Sequence, residues 1–392
     1  MTLRNGKEIL MIPGPTNVPY EVLRAMHRPA ADIYEGPMLE TTDVCLKGLQ
    51  RLFRTKERTY IYAANGHGAW DAALSNTLSR GDKVLVLASG RFAVGWGEAG
   101  ALMGLDLEVL PGSWHHTVDP VAVEDRLRKD VNKDIKAILV VQVDTATGVW
   151  NDIPAIRKAI DAAGHPAMFM VDCMASLGCV PFEMDAWGVD LALTGSQKGL
   201  MSPPGLSFIA AGPKALKAHE TANLRTNYMD WTYRHGPEHY QKYCGTPPEH
   251  LLFAFRAAIE LLDAEGLENV WRRHAILAEA TRRAVAKWAE GGVISFNIED
   301  PDFRSDSVTV FLMKDHDPAE LREFTRSVCG VTIGGTIGNL TGQGIRIGHM
   351  GHINAVMILG TLSAIDLGLK KLGIPHGEGA VQAAIDYIAE AL

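Results

Sequence analysis

The chain has 392 residues, enough for two or three domains of about 150 residues each, and its 47% hydrophobic and 21% charged composition excludes a disordered or fibrous protein. Its net charge of −8, spread without long runs of one sign, argues against nucleic acid or an anionic membrane as a partner. No apolar run reaches the roughly 18 residues of a membrane-spanning helix, and the segment MTLRNGKEIL lacks the apolar centre of a secretory signal. Five scattered cysteines predict reduced thiols in a cytoplasmic protein, without a disulfide framework or a zinc site.

From about residue 59 onward, short β-branched runs alternate with segments of helical periodicity. Strands are predicted over 59–63, 83–87, 106–110, 137–143, 168–172 and 191–194, and helices over 69–78, 92–102 and 153–163 and from Asp119-Pro120 onward. The strands are nearly continuous apolar runs separated by helices, which is typical of a parallel sheet covered on both faces. The sequence therefore predicts an α/β architecture.

The pattern changes after about residue 262. The elements predicted beyond it are a connecting helix over 268–290, a strand over 306–313, and helices beginning at Asp317 and near 353–370 and 379–391. Strands followed by helices indicate a smaller α+β domain. We therefore predict a large domain over residues 1–262 and a small C-terminal domain over residues 263–392.

Three motifs follow predicted strands. The turn NGHG at residues 65–68 precedes a helix, where backbone amides and the helix N-terminus favour an anion. Asp172 ends an apolar strand, at the side of a parallel sheet that faces the ligand crevice, and could hold a protonated ring nitrogen. Lys198 lies between small residues in apolar surroundings, which can lower the pKa of an amine nucleophile. Each motif alone also has an ordinary structural explanation: NGHG as a tight turn, Asp172 as a helix-capping acid, and Lys198 as a solvated loop lysine.

Together these motifs supply a phosphate cup, a carboxylate for a ring nitrogen and a nucleophilic lysine. Pyridoxal 5′-phosphate requires these three groups from the protein that binds it. The combination predicts an enzyme that uses this cofactor, which no single motif does.

The sequence resembles the class V aminotransferases of fold type I, particularly the alanine–glyoxylate and serine–glyoxylate aminotransferase group. The motifs that match are, in chain order, IPGPT at 12–16, the Gly66-His67 turn, Asp172 after a valine, TGSQK at 194–198 followed by Pro-Pro-Gly-Leu, and RIG at 346–348. The resemblance covers nearly the whole chain. It implies a large domain with a mainly parallel seven-stranded sheet, a smaller C-terminal α+β domain, and bound pyridoxal 5′-phosphate.

The resemblance also implies roles for individual residues. Lys198 matches the Schiff-base lysine that shuttles the proton, Asp172 the carboxylate that keeps the pyridine nitrogen protonated, and Phe92 the aromatic ring that stacks on the cofactor. Arg346 matches the arginine that binds the α-carboxylate of the substrate through two hydrogen bonds. The further cofactor contacts it implies are Gly66, His67, Thr145, Met174 and Gln197, with Tyr243 and Thr246 reaching the phosphate of a partner subunit. A shared site of this kind implies a homodimer.

One segment departs from the serine–glyoxylate pattern. Those enzymes usually carry Asp-His-Arg-Ser-Pro near the substrate entrance, whereas this chain has Tyr34 and Glu35 within ADIYEGP at 31–37. The change alters which donor side chain the site accepts. This segment and RIGHMG at 346–351 also resemble pyridoxamine–pyruvate aminotransferase, although Gly66-His67 keeps the phosphate cup of an enzyme with a permanently bound cofactor.

The resemblance thus implies a transaminase that moves an amino group from a small amino acid, such as alanine, serine or aspartate, to glyoxylate or pyruvate by ping-pong chemistry. The alternatives are a pyridoxamine–pyruvate aminotransferase, a lyase or desulfurase using Cys329, and a non-catalytic cofactor-binding regulator. Cys329 is instead predicted to be a buried structural thiol at the start of a strand. His235 and His239 have a helical metal-site spacing, but the Gly-Pro between them predicts a loop pair.

Overall fold

The computed structural model describes residues 2–392, which contain fourteen strands and thirteen α-helices. The strands are β1 (Ile9–Met11), β2 (Arg58–Tyr62), β3 (Lys83–Leu87), β4 (Asp106–Leu110), β5 (Ile135–Val141), β6 (Val143–Asp144), β7 (Val149–Trp150), β8 (Met168–Asp172), β9 (Leu191–Gly195), β10 (Ser207–Ala211), β11 (Ile294–Phe296), β12 (Val308–Met313), β13 (Val331–Gly335) and β14 (Gly344–Gly348). The helices are α1 (Tyr20–Met26), α2 (Pro37–Phe53), α3 (Gly66–Thr77), α4 (Arg91–Leu102), α5 (Pro120–Lys129), α6 (Ile153–Ala162), α7 (Pro213–His219), α8 (Trp231–Arg234), α9 (Glu249–Glu265), α10 (Leu267–Ala289), α11 (Pro318–Cys329), α12 (Ala355–Leu372) and α13 (Ala380–Ala391).

The larger sheet has seven strands in the order β2-β10-β9-β8-β5-β3-β4. The five strands from β9 to β4 are parallel to their neighbours, and β10 runs antiparallel to both β2 and β9. Both the predicted α/β class and the mainly parallel seven-stranded sheet are confirmed.

Both faces of this sheet are covered, as the central strand β8 illustrates. Phe169 and Val171 pack into one apolar cluster, whereas Met168 and Met170 pack into another. Since side chains alternate between the two faces of a strand, β8 appears in the sequence as an uninterrupted apolar run. Its last residue is the buried Asp172, at the carboxyl end of the strand.

A second sheet has five strands in the order β1-β13-β14-β12-β11, and β14 carries Arg346. Its apolar core is shared with α10, α12 and α13. The N-terminal strand β1 lies at one edge, parallel to β13, and helix α9 extends across residue 262. The division into residues 1–262 and 263–392 stays a prediction. Strand β1 belongs to the first range but pairs with β13 of the second, and helix α9 contains residues of both ranges.

Most predicted elements are present within a few residues of their predicted ends, and the differences have local causes. The strand predicted over 137–143 ends at Val141, because the chain then forms the separate hairpin of β6 and β7. The helix predicted from residue 69 begins at Gly66, because the Asn65 side chain accepts hydrogen bonds from its first amides. Asp317 caps α11 as predicted.

The prediction for Cys329 was wrong in two respects. Cys329 is the last residue of helix α11, where Gly330 ends the helix with a φ of 70°, and the strand begins only at Val331. The Cys329 thiol is partly exposed rather than buried. Across residues 2–392, no helix is both long enough and apolar enough to cross a membrane.

Candidate active site

A cavity of about 250 Å³ lies where β8, β9 and the turn after β2 reach the same edge of the large sheet. This is the carboxyl edge of the parallel strands, where ligands bind in open α/β sheets. Eight of the predicted site residues line it: Gly66, His67, Phe92, Thr145, Asp172, Met174, Gln197 and Lys198. The structure therefore brings together the three motifs that were singled out separately in the sequence.

Lys198 follows the end of β9 by three residues, and its ammonium donates a hydrogen bond to the carbonyl of Pro13. Its backbone is held by Thr16, whose hydroxyl donates to the Lys198 carbonyl at 3.0 Å. Burial and, to a smaller extent, the positive charge of Arg346 together lower the pKa of Lys198 to about 8, although Asp172 opposes the shift. Lys198 thus has a sizeable fraction of free amine near neutral pH, as a nucleophile or proton acceptor requires.

Asp172 is held by two neutral donors, one on each carboxylate oxygen. The indole Nε1–H of Trp70 donates to Oδ2 at 2.7 Å, and the Met174 amide donates to Oδ1 at 2.6 Å. Burial raises the pKa of Asp172 to about 6, although both hydrogen bonds and the charge of Lys198 oppose this rise. Trp70 was not singled out from the sequence. The only general rule that points to it is that the N–H of a buried indole usually needs a hydrogen-bond acceptor.

The turn before α3 forms the third wall of the cavity. The Asn65 side chain accepts hydrogen bonds from the amides of His67 at 3.1 Å and Gly68 at 3.3 Å, which fixes the start of the helix. A Cβ atom on Gly66 would lie 2.4 Å from Cε of Met174, so a larger residue here would require the Met174 side chain to move. The Gln197 side-chain oxygen is buried without a hydrogen-bond partner among residues 2–392, so it is free for a ligand.

Asp144 is a further buried acid that sequence reasoning missed. Its carboxylate accepts hydrogen bonds from three amides: those of Phe92 and Ala93, at 2.9 and 3.1 Å, and that of Ala146 at 2.9 Å. Burial raises its pKa. Gly90 is required beside it, because a Cβ there would lie 2.3 Å from the Asp144 carboxyl carbon. Asp144 therefore fixes the start of α4 and, with it, the Phe92 side of the cavity.

Arg346 lies beside the cavity and is oriented by two backbone carbonyls. Its Nε donates to Gly335 at 2.6 Å, and its Nη1 donates to Thr145 at 3.1 Å. Burial lowers its pKa to about 10. Its Nη2 has no hydrogen-bond partner within residues 2–392, so this edge of the guanidinium can bind an anion such as a carboxylate.

Four predicted residues lie outside the cavity of this chain. Tyr34 and Glu35 are exposed, and the Tyr34 ring packs edge-on against Tyr240 with 6.2 Å between the ring centroids. Tyr243 is buried, and its hydroxyl lies 2.7 Å from that of Thr42, while Thr246 is exposed. The roles that the resemblance implied for these four residues stay predictions.

The two histidines considered for a metal site have other partners. His235 Nε2 lies 2.6 Å from the Tyr60 hydroxyl, whereas His239 Nε2 lies 2.8 Å from the Thr42 hydroxyl. Within residues 2–392 there is no group of three or more His, Cys, Asp or Glu side chains that could hold a metal ion.

Comparison with known proteins places this site in a family. A model of the family described as aminotransferase class-V matches residues 13–343. The chain is 40% identical to the serine–glyoxylate aminotransferase of Methylorubrum extorquens, with 99% of this chain and 98% of that protein covered. It is 35% identical to the L-aspartate–glyoxylate aminotransferase of Paracoccus denitrificans, with 96% and 94% covered.

A solved structure is similar over the full length. The fold superimposes on the pyridoxamine–pyruvate aminotransferase from Mesorhizobium loti with a TM-score of 0.90 and 25% identity, covering 100% of both chains. The family match agrees with the content of the cavity, which is lined by the lysine amine of Lys198, the buried carboxylate of Asp172 and the turn before α3. This chain belongs to the class-V aminotransferases, enzymes of fold type I that use pyridoxal phosphate.

Proposed function

We propose that this enzyme transfers the amino group of a small amino acid, alanine, serine or aspartate, to a small 2-oxo acid, glyoxylate or pyruvate, in a ping-pong reaction. The observation that carries the proposal is the meeting of Lys198, Asp172 and the Gly66 turn in one cavity, with Arg346 beside it. The names of relatives that are serine–glyoxylate and L-aspartate–glyoxylate aminotransferases support glyoxylate as the acceptor.

The residues around the cavity fit pyridoxal phosphate. The N-terminus of α3 at the Gly66 turn suits the phosphate end, and the side-chain amide of Gln197, which also lines the cavity, can donate to a phosphate through its nitrogen. Phe92 and Met174 supply flat and apolar contacts for a ring, and Asp172 supplies a carboxylate for the ring nitrogen. When bound, the cofactor supplies an aldehyde that condenses with amines and a protonated ring that accepts electrons.

Each polar residue has one task in the proposed reaction. The Lys198 amine, with a pKa of about 8, would accept the proton that leaves the substrate Cα and deliver it, within the same half-reaction, to the carbon that bore the cofactor aldehyde; the second half-reaction would move a proton in the reverse direction. The Asp172 carboxylate keeps a proton on the ring nitrogen, because an ionised neighbour favours the protonated form. Arg346 binds the α-carboxylate through its unpartnered Nη2 edge, which fixes the Cα–H bond relative to Lys198.

The test is a matrix of donors and acceptors. Alanine, serine, aspartate and larger amino acids are paired with glyoxylate and with pyruvate, and the product amino acid is measured by chromatography. We expect turnover with at least one small donor, and no turnover by the Lys198→Ala variant with any pair. Turnover by Lys198→Ala equal to that of the wild type, or no turnover by the wild type with any pair, would overturn the proposal.

We also propose a homodimer with shared active sites. Tyr34, Glu35 and Thr246 are exposed and lie outside the cavity of their own chain, which supports a role at the site of a partner subunit. Tyr243 is buried beside Thr42, and its role rests on the resemblance alone. In that arrangement Tyr34 and Glu35 contact the substrate, and Tyr243 and Thr246 contact the phosphate.

Mixed dimers test this arrangement. A Lys198→Ala chain and a Thr246→Asp chain are each expected to be inactive alone. A dimer of one of each contains one intact site if the sites are shared, so refolding the two together should restore activity. If activity is not restored although sedimentation shows mixed dimers, the shared-site proposal is wrong.

Pyridoxamine–pyruvate exchange is the second candidate, because the fold matches such an enzyme over its whole length. In that case free pyridoxamine is the substrate and no phosphorylated cofactor stays bound. A purified protein that is colourless and active on free pyridoxamine would favour this candidate. Cofactor absorbance that persists through dialysis would favour the glyoxylate aminotransferase, in agreement with the Gly66 turn.

We propose a cytoplasmic location as well. All five cysteines are free thiols in the structure, as is typical of proteins from a reducing compartment. Fractionation of the source cells would test this proposal, and recovery of the protein with an extracytoplasmic fraction would contradict it.

A further inference from the structure

The hydrogen bond between Trp70 and Asp172 is the feature from which this inference starts. The indole nitrogen and Oδ2 are 2.7 Å apart, and the two residues are 4% and 1% exposed, so water does not compete for the bond. The Met174 amide donates a hydrogen bond to the other oxygen, Oδ1, at 2.6 Å. Two donors on two different oxygens fix the plane of a carboxylate, whereas one donor leaves it free to rotate.

Trp70 is itself held in place. Its ring stacks on Trp96, with 6.3 Å between centroids and 15° between planes, and the edge of His67 packs against it at 4.6 Å. It lies on α3, the helix that begins at the Gly66 turn. Helix α3 therefore connects the Gly66 turn to Asp172 through Trp70.

We propose that Trp70 is a positioning residue, whose indole N–H orients Asp172 as an ionised carboxylate toward the ring nitrogen of the cofactor. This inference rests on the proposed function, because it concerns the same carboxylate. Without the indole N–H, the buried Asp172 keeps only the Met174 amide as a donor. Burial then favours the neutral carboxyl group more strongly, and a neutral carboxyl group does not hold a proton on the ring.

The neighbouring Trp96 provides a matched control. It is fully buried like Trp70, but its indole nitrogen has no hydrogen-bond partner within residues 2–392. Trp70→Phe and Trp96→Phe therefore remove the same atoms from adjacent, stacked rings, and only the first substitution removes a donor from Asp172. A difference between the two variants reports on the hydrogen bond rather than on lost packing.

The first measurement uses the cofactor-free protein, so it does not depend on catalysis. Carboxyl ¹³C NMR of aspartate-labelled protein gives the pKa of Asp172, with its resonance assigned from Asp172→Asn. We expect Trp70→Phe to raise this pKa and Trp96→Phe to leave it unchanged. Equal pKa values in both variants and the wild type would overturn the inference, whether or not the enzyme is an aminotransferase.

The second measurement uses the holoenzyme. We expect Trp70→Phe to lower kcat by roughly ten- to a hundredfold, the range for loss of a hydrogen bond to a charged group. The acid limb of the kcat profile should move to higher pH, with KM for the 2-oxo acid nearly unchanged. An equal decrease of kcat in Trp96→Phe would show that the effect comes from lost packing, and it would overturn the inference.

A measurement on the unaltered protein covers the case in which Trp70→Phe does not fold. The indole N–H resonance of Trp70 should shift with pH at the midpoint of Asp172 ionisation, and the resonance of Trp96 should not. Loss of this titration in Asp172→Asn would support the inference. An indole resonance of Trp70 that is insensitive to Asp172 would refute it. If the indole resonance titrates but no donor–acceptor pair reacts, the positioning role stands and the proposed function fails.

Discussion

Replacing Arg346 with glutamine should raise the pKa of Lys198 and slow its reaction with aldehydes at neutral pH. Burial is the largest cause of the lowered pKa of Lys198, and the guanidinium charge of Arg346 is the second. Asp172 acts in the opposite direction and is left in place by the substitution. Glutamine keeps a polar side chain of intermediate length but removes the positive charge that disfavours the Lys198 ammonium.

The size of the effect follows from the fraction of free amine. With a pKa of about 8, about 24% of Lys198 is unprotonated at pH 7.5, against about 0.1% for an ordinary lysine. A rise of one unit would leave about 3%, so the rate of aldehyde capture at this pH would fall about eightfold. Well above both pKa values the two proteins should react at the same rate, because the amine is then fully deprotonated in each.

The assay mixes cofactor-free protein with pyridoxal phosphate and follows the absorbance of the lysine adduct between about pH 6 and 10. Lys198→Ala serves as the blank. Arg322→Gln is the matched control, because Arg322 is an exposed arginine that affects the pKa of Arg346 but not that of Lys198. If Arg346→Gln has the same rate–pH midpoint as the wild type, Arg346 does not tune the amine.

Three further substitutions test other parts of the site. Burial raises the pKa of Asp172 from 3.8 to about 6, so its ionisation destabilises the fold as the pH rises through this range. Urea unfolding of the cofactor-free protein measures this effect. Between about pH 4 and 8, the free energy of unfolding of the wild type should fall by about 2 kcal/mol more than that of Asp172→Asn. Parallel pH profiles of the two proteins would contradict this prediction. Gly66→Ala places a Cβ 2.4 Å from Met174 Cε and should weaken cofactor binding roughly tenfold, with partial recovery when Met174→Ala is added, as measured by fluorescence titration. Cys329→Ala should retain full transamination, because Cys329 ends a helix and does not line the cavity; loss of turnover would favour the desulfurase alternative.

The three motifs that were singled out before the resemblance share one property, which is that each lies at or just after the end of a strand. Asp172 ends β8, Lys198 follows β9 and Gly66 follows β2. Parallel strands end at the same edge of their sheet, so the order of strands and helices already predicts that these residues meet. The resemblance added Phe92 and Thr145, and both line the cavity.

The contacts that support these residues could not be predicted in the same way. Trp70 and Asp172 are 102 positions apart, and the Phe92 amide lies 52 positions from Asp144. Helical periodicity predicts which face of α3 is buried, but it does not predict which side chain on another element that face will contact. Strand β1 is a similar case, because it pairs with β13 more than three hundred residues later in the chain.

Four charged groups lie in or beside the cavity, and burial brings the pKa values of two of them, Asp172 and Lys198, toward each other. Asp144 and Asp172 are balanced by Lys198 and Arg346, so the cluster is close to neutral when all four are ionised. Burial is nevertheless the largest cause of every shift: it raises both carboxyl pKa values and lowers those of the amine and the guanidinium. Asp172 and Lys198 consequently titrate at about 6 and 8, on either side of neutrality, where groups that hold or move protons are most effective. Because exclusion of water produces this tuning, substitutions that admit water at the Phe92 or Met174 walls should return both pKa values toward their ordinary range even though they leave every charge in place.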